Sequence, residues 1–358
     1  IRLEAMQISS GLIGLNAAMP ALGWLILTPF LPKLHHYFSS KTLMFGFLAF
    51  AILGLLGFAS SHNFALWLVF RLLFGGGLGM FFRVVEYWLN TETRCENRGQ
   101  VIGIYSVCFL VGIVIGSLLQ PEFGIEGIRS FVLIGLSIIV GGSLLMLISL
   151  DTPINRSSSP SLNALWKVTT LAPLAMAGVI TYGLFEDVPA YLLSIYTLKV
   201  GLGENIAAYT LSAFAIGNLI LAIPLGIISD KIGRAPVMVS CAVIGLLGSF
   251  IIPLLLGNTA LYLIFLAFWG GFIGGLYATS LAFIGDRFSD NDLISANAIF
   301  GTVYAVAALL GPIGNGMAMQ FWEPHGLMVS CAIVFNGFLF FALFHRQKGG
   351  LDAASKNH

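Results

Sequence analysis

From residue 8 to residue 344 the chain is a succession of apolar stretches, each long enough to cross a bilayer and each ended by a short polar break. About 20 consecutive apolar residues carry an α-helix through the hydrocarbon. Inside lipid the backbone has no water to bond, so a spanning segment must be a helix or part of a closed barrel. The lengths select helices. Spans are expected near 8–31, 43–60, 64–89, 99–119, 128–150, 166–197, 203–228, 235–256, 258–285, 292–320 and 325–344, eleven in all. The breaks carry turn and charge signals such as HHYFSSK, TETRCENRG, DTPINRSSSPS and SDKIGRAP. Only 9% of residues are charged, against roughly 25% in soluble domains, which sets the class as all-α integral membrane protein in contact with the lipid bilayer.

Basic residues orient these spans. Of 17 lysines and arginines, 12 fall in one alternating set of loops and the C-terminal tail. Arg2, Arg129 and Lys199 fall on the other side, and Arg71 and Arg83 lie within a span. Positive charge stays inside, so the rich loops and the C-terminus are expected in the cytoplasm, with Ile1 outside. A net charge of +1 gives no footprint for nucleic acid, and none is expected as a partner. Cys95, Cys108, Cys241 and Cys331 form no CxxC or Cys/His cluster, so neither a structural disulfide nor a metal site is expected. No histidine lies deep in a span, which argues against haem, and no cofactor is expected. There is no G-x-x-x-x-G-K-[ST] motif, so any energy for transport must come from a gradient.

The chain also repeats itself. LWLVFRLLFGGGLGM (66–80) aligns without gaps on LYLIFLAFWGGFIGG (261–275), an offset of 195 with six of 15 positions identical. At an offset of 194, GWLILTPFLPKLHHYFSSKTLM (23–44) falls on GNLILAIPLGIISDKIGRAPVM (217–238). Gly116 falls on Gly311. Two similar halves are therefore expected, 1–150 and 166–345, joined by a polar linker 151–165 and followed by a tail 346–358. Six spans in the second half imply six in the first, where five are visible. The counterpart of 166–197 would precede Ile1, so the complete protein is expected to have twelve spans and both termini inside.

Residues 226–235, GIISDKIGRA, resemble the G-x-x-x-D-[RK]-x-G-R loop of the major facilitator superfamily. Glycine lets helices approach, the aspartate faces a helix N-terminus and the arginine pairs with a neighbouring acid. The resemblance covers essentially the whole chain. It implies two pseudo-symmetric six-helix halves, related by an axis along the membrane normal, rocking about a central site. VVEYWLN…RGQVIGIY (84–105) and SLAFIGDRFSDNDLISANA (280–298) are similar to a bacterial branch of that superfamily. The first half departs from the loop motif, with His36, Ser39 and Ser40 in place of aspartate, glycine and arginine. The glycine-proline pair of the superfamily's drug–proton antiporters is missing from GIVIGSLLQP (112–121) and occurs instead as Gly311-Pro312.

Ionisable groups within spans are costly and default to functional candidates. Arg71, Arg83 and Glu86 align on Leu266, Ala278 and Leu281, so the second half builds the same helix without them. Arg71 shares a helix face with Gly75, Gly79, Phe82 and Glu86, yet lies about 22 Å from Glu86 along the axis. It resembles the superfamily's buried fourth-helix arginine, which implies a part in substrate binding or proton coupling. Arg83 and Glu86 are i,i+3 neighbours, readable either as an interfacial ion pair or as a gate pair near the cytoplasmic end. Glu186 and Asp187 are adjacent carboxylates just before Pro189, and Glu186 lies about 20 Å from Lys199 by helical rise. Either they are wetted at the outer interface, or they carry the coupling proton from a buried site.

Tyr182, Tyr277, Tyr304, Trp269 and Asn218, with Tyr105, Trp24 and Asn16, are amphipathic or polar groups within spans. Each is readable as packing, and as a set they suit the lining of a cavity. Asp230, Lys231, Gly233 and Arg234 of the loop motif, with Asp286, are expected to form a cytoplasmic gate in which Arg234 meets Asp286 and Asp230 approaches the other half. The expected function is a monomeric secondary active transporter of the bacterial inner membrane, proton-coupled, for a small organic solute that is anionic or amphipathic. Facilitative carriage and drug or metabolite efflux by antiport are alternatives. A membrane enzyme would need a nucleophile or metal set, and none is visible. A non-transporting receptor would show binding without flux.

Overall fold

The computed structural model describes residues 2–61, 63–92, 98–123, 129–147, 162–288 and 290–355. Most of the expected linker, 151–161, lies outside the described residues, as do Arg94, Cys95, Arg156 and Lys356; the side chains of Arg98, Arg346 and Lys348 lie outside them too. The chain divides into two compact units, one over 12–159 with the leading residues to 8, the other over 160–358 with 9–11.

The first unit runs α1 (Arg2–Ala5), α2 (Ser10–Leu27), a 3-10 turn (Thr28–Phe30), α3 (Leu31–Tyr37), α4 (Ser40–Ser60), α5 (Phe64–Glu92), α6 (Arg98–Phe123) and α7 (Arg129–Leu145). The span expected over 8–31 thus gives way near its end to a tighter turn. The cause lies in Pro29 and Pro32, which enter the first turns of the 3-10 segment and of α3, where a missing N–H costs nothing. Ser39 caps α4, accepting from the Thr42 N–H at 3.2 Å. Met44, Phe47, Met80 and Val84 bury the α4–α5 seam.

The second unit comprises α8 (Leu162–Leu171), α9 (Pro173–Asp187), a π-helical turn (Val188–Leu192), α10 (Leu193–Lys199), α11 (Glu204–Ile232), α12 (Arg234–Leu254), α13 (Thr259–Arg287), α14 (Asp290–Phe321) and α15 (Gly326–Ser355). The single span expected over 166–197 is divided twice. Ala172 leaves the helical region at φ −132° and ψ 52° just ahead of Pro173, which favours extended backbone before it. Pro189, lacking an N–H, sits in the π turn. Pro20, Pro224, Pro253 and Pro312 lie inside helices that continue through them. Gly233, at φ 97°, turns the chain from α11 into α12 in a conformation that only glycine adopts freely.

Among the described residues, eight helices are long and apolar enough to cross a membrane. The other expected spans fall on α6, on α7 and on the divided run 173–199, and α6 and α7 hold shorter apolar cores, Val107–Leu119 and Arg129–Leu145. The molecule is a multi-pass, all-helical membrane protein. Its helices pack on glycine. In the first unit a Cβ on Gly23 would stand 2.8 Å from the Gly76 Cα. In the second, a Cβ on Gly217 would overlap the Ala267 carbonyl, and one on Gly271 would stand 2.5 Å from the Gly217 carbonyl. Positions 23 and 76 fall on 217 and 271 by the sequence repeat, so the same backbone contact recurs in each unit.

Candidate functional site

In the second unit α9 ends at the π turn with Glu186 and Asp187. Gly183 and Gly311 let α9 and α14 close on each other. A Cβ on Gly183 would meet the Ala307 Cβ at 2.8 Å, and one on Gly311 would overlap the Leu184 carbonyl. That approach carries Tyr304 of α14 to Glu186, and its hydroxyl donates to Glu186 Oε2. Tyr182, one turn before Glu186, lies 5.0 Å from Tyr277 of α13 and stacks at 6.3 Å on Tyr304, measured between ring centroids. Tyr277 and Tyr304 complete the triangle at 5.6 Å. All three tyrosines and both acids are partly exposed, so the cluster is a surface and not a sealed core. Behind it Phe185 packs edge-on to Trp269 at 5.0 Å and against Phe335 at 5.3 Å.

The arrangement has two chemical capabilities. A carboxyl bonded to a phenol takes up or releases a proton without leaving its place, because the hydroxyl can rotate to suit either state. The three rings offer a flat apolar surface edged with hydroxyls. Of the expected lining residues, the structure brings Tyr182, Tyr277, Tyr304 and Glu186 together, with Asp187 beside them. Asn218 sits elsewhere, half-buried in the α11–α13 seam against Gly274. Trp269 is a correction. It is 0% exposed, its indole donates to the Gly245 carbonyl at 3.1 Å, and it fills the space that Gly248 leaves open. The indole N–H found a partner within the packing, so Trp269 supports the site from behind without lining it.

The first unit places its charges differently. Asn16, Pro20 and Trp24 of α2 face Trp67, Gly75 and Gly79 of α5, and the Trp24 indole donates to the Gly75 carbonyl at 3.0 Å. Arg71 belongs to that same stripe of α5 and is half-buried. Glu86 is exposed, hydrogen-bonded to Tyr105 of α6 and within the field of Arg83. The structure therefore keeps Arg71 apart from the Arg83, Glu86 and Tyr105 group.

At the junction of α11 and α12, Arg234 holds three partners. It bonds Asp286 of α13 at 2.9 Å and Ser229 at 2.6 Å, and pairs with Asp230 one turn before it. Lys231 is exposed beside them. Nearby, Arg287 donates to the Leu171 carbonyl at 2.8 Å, and Lys167 pairs with Asp292 at 2.7 Å. Asp230 was expected to reach toward the other half; its described partner is Arg234, because the i,i+4 spacing across Gly233 puts the guanidinium within reach. At the far end, Lys199 pairs with Glu323, and Tyr196 meets His325 at 3.3 Å. Sequence reasoning missed Asn315, a buried amide that donates to the Leu184 carbonyl at 2.8 Å. Its signal was a lone amide in the apolar run GPIGNGMAM (311–319), four residues after Gly311. Among the described residues no group of three or more histidines, cysteines or acids is placed to hold a metal.

Comparison with known proteins follows the same lines. The family model described as Major Facilitator Superfamily matches residues 2–203 and 175–356. The MFS-type transporter YfkF of Bacillus subtilis is 25% identical over 328 residues, covering 89% of this chain and 82% of that protein. YcaD of Escherichia fergusonii, also an MFS-type transporter, is 25% identical over 283 residues, 78% of this chain and 72% of its own. Among solved structures, a variant of the nucleoside transporter NupG shares the fold, with a TM-score of 0.72 at 13% identity over 96% of this chain and 92% of that one.

Proposed function

Because this chain belongs to the Major Facilitator Superfamily and is a transporter of that type, we propose that it moves a small organic solute across the bacterial inner membrane by alternating access, coupled to protons. The two sequence halves, 1–150 and 166–345, rock about a central site, with the C-terminus and the Arg234 end in the cytoplasm. One observation carries the reading. A carboxylate at a helix break within an apolar span, bonded to a tyrosine and flanked by two more, is a costly arrangement. Glu186 exchanges the proton, and the tyrosine surface takes the flat or apolar part of the solute. Arg71 supplies the positive charge that favours an anionic group on the solute.

The contacts of Arg234 serve as the inner gate. Exposed ion pairs are worth about 0–1 kcal/mol each, a suitable scale for contacts that break and reform in every cycle. Flux in proteoliposomes of the full-length protein, screened over candidate solutes with and without an imposed pH gradient, tests the proposal. Accumulation against a solute gradient only when the pH gradient is present is the expected result. Flux indifferent to that gradient would sink proton coupling and leave a facilitative carrier. Binding without flux would leave a receptor.

A further inference from the structure

The backbone of Leu184 shows how the broken helix is held. In an uninterrupted α-helix its carbonyl would accept from the Val188 N–H. At the break the Val188 N–H turns to the Phe185 carbonyl, and Pro189, next in line, has no N–H to offer. The Leu184 carbonyl is released two residues before Glu186, inside an apolar bundle where an unsatisfied carbonyl is costly. Asn315 of α14 takes it, donating from Nδ2 at 2.8 Å. Gly311, one turn earlier on α14, leaves the room for this approach. Tyr304, Ala308, Gly311 and Asn315 follow one stripe at helical spacing, so the amide and the phenol act at two points on the same face.

We infer that Asn315 is a positioning residue, which, by holding the Leu184 carbonyl, fixes the register of the broken helix on α14 and keeps the Glu186 carboxylate on the Tyr304 hydroxyl. Its consequence for transport rests on the proposed proton-handling role of Glu186, but the register itself does not. The titratable groups around Glu186 are Tyr182 and Asp187 on its own helix, Tyr277 from α13 and Tyr304 from α14. From α11 and α15 the neighbours of the adjacent Phe185 are Phe214 and Phe335, which do not titrate.

Infrared titration of the full-length protein in liposomes tests the assignment, with the proton as the only ligand. The Glu186 carboxyl band is identified by its loss in Glu186→Gln and followed on acidification. In Asn315→Leu, which keeps the branched heavy-atom skeleton and removes the donor, the band frequency and its titration midpoint should coincide with those of Tyr304→Phe, a change of about tenfold in proton affinity. Asn315→Gln, which keeps an amide donor, should stay within about threefold of the unmodified protein, half a unit on the same scale. If Asn315→Leu titrates like the unmodified protein, the inference is overturned. It is overturned equally if both Asn315 variants melt early while the carboxyl of their folded fraction is unchanged, because that pattern is packing alone. Whether Glu186→Gln abolishes gradient-driven flux is a separate readout, so failure of the proton-coupling reading is told apart from failure of the register.

Discussion

The α2–α5 pair of the first unit and the α11–α13 pair of the second are built on one plan and used for different chemistry. Both cross where glycine meets backbone, Gly23 on Gly76 and Gly217 on Ala267 and Gly271. In each, the residue after the first glycine lies over a second glycine, Trp24 on Gly79 and Asn218 on Gly274. On that shared frame the first unit mounts Arg71 at the position where the second has the fully buried Leu266. The ends differ in the same way. Where the first unit starts α4 with the Ser39 cap, the second turns at Gly233 and adds the Arg234 contacts. Close packing of helices in lipid depends on small residues and is hard to vary, whereas a side chain on the stripe is not held by the frame. The scaffold is therefore common to both units, and the charge is particular to each.

The most severe way to break this comparison is through the glycines. Gly217→Val pushes a branched side chain into the Ala267 carbonyl and should cost roughly 3 kcal/mol or more, the upper part of the overpacking range. Gly23→Val should cost less, since its neighbour is the Gly76 Cα at 2.8 Å. Thermal unfolding of the detergent-solubilised protein gives both values, and a negligible cost at either glycine would mean that the seams are not organised alike. Next comes Arg71→Leu, which gives the first unit the residue of the second. Flux should fall by about thirtyfold, equivalent to roughly 2 kcal/mol of lost solute binding, with expression and melting retained. Undiminished transport would remove Arg71 from the site.

A third change sets acid against acid. Glu186→Gln should abolish accumulation driven by the pH gradient while exchange of solute persists. Glu86→Gln, at an exposed position, should keep coupled transport. If the two variants behave alike, the distinction drawn between the helix break and the helix surface fails. Smaller still are the ends. Ser39→Ala should lower stability by about 1 kcal/mol through loss of the cap. Arg234→Gln should change it by less than about 1 kcal/mol, being an exposed cluster, and its larger effect should appear in transport rate.

Much of the fold could be read directly from the residues. Apolar length determines helices, and the glycines of 66–80 and 261–275 announced the packing that both units share. The divisions of the run 166–197 were harder to foresee. Five prolines at 20, 189, 224, 253 and 312 lie at helical positions, yet the backbone departs into a π turn at Pro189. At Pro189 the freed Leu184 carbonyl has its donor in Asn315, which lies 131 residues along the chain and so leaves no local signal. The same limit explains Trp269. Its type suits a cavity wall as well as a core, and only the Gly245 carbonyl and the gap at Gly248 settle which. The tyrosines and Glu186 stood out as polar groups in apolar spans, but their assembly depends on two glycine contacts that no single helix reveals.

The division at the π turn has a mechanical consequence. The short segment Leu193–Lys199 is pinned to its surroundings by Ser194 on Thr210, Thr197 on the Tyr262 hydroxyl, Tyr196 on His325 and Lys199 on Glu323. With that end fixed, the 15 residues Pro173–Asp187 form a lever about 22 Å long. A rotation of roughly 10° at the fulcrum would carry its far end, where Ala172, Ala175 and Met176 pack in a core with Ile284, Ile299 and Phe300, through about 4 Å, given the helical rise. That end adjoins Leu171, whose carbonyl Arg287 holds. A small shift at the carboxylate would thereby be felt at the far end of the helix, where the hydrogen bond of Arg287 to Leu171 would be made or broken.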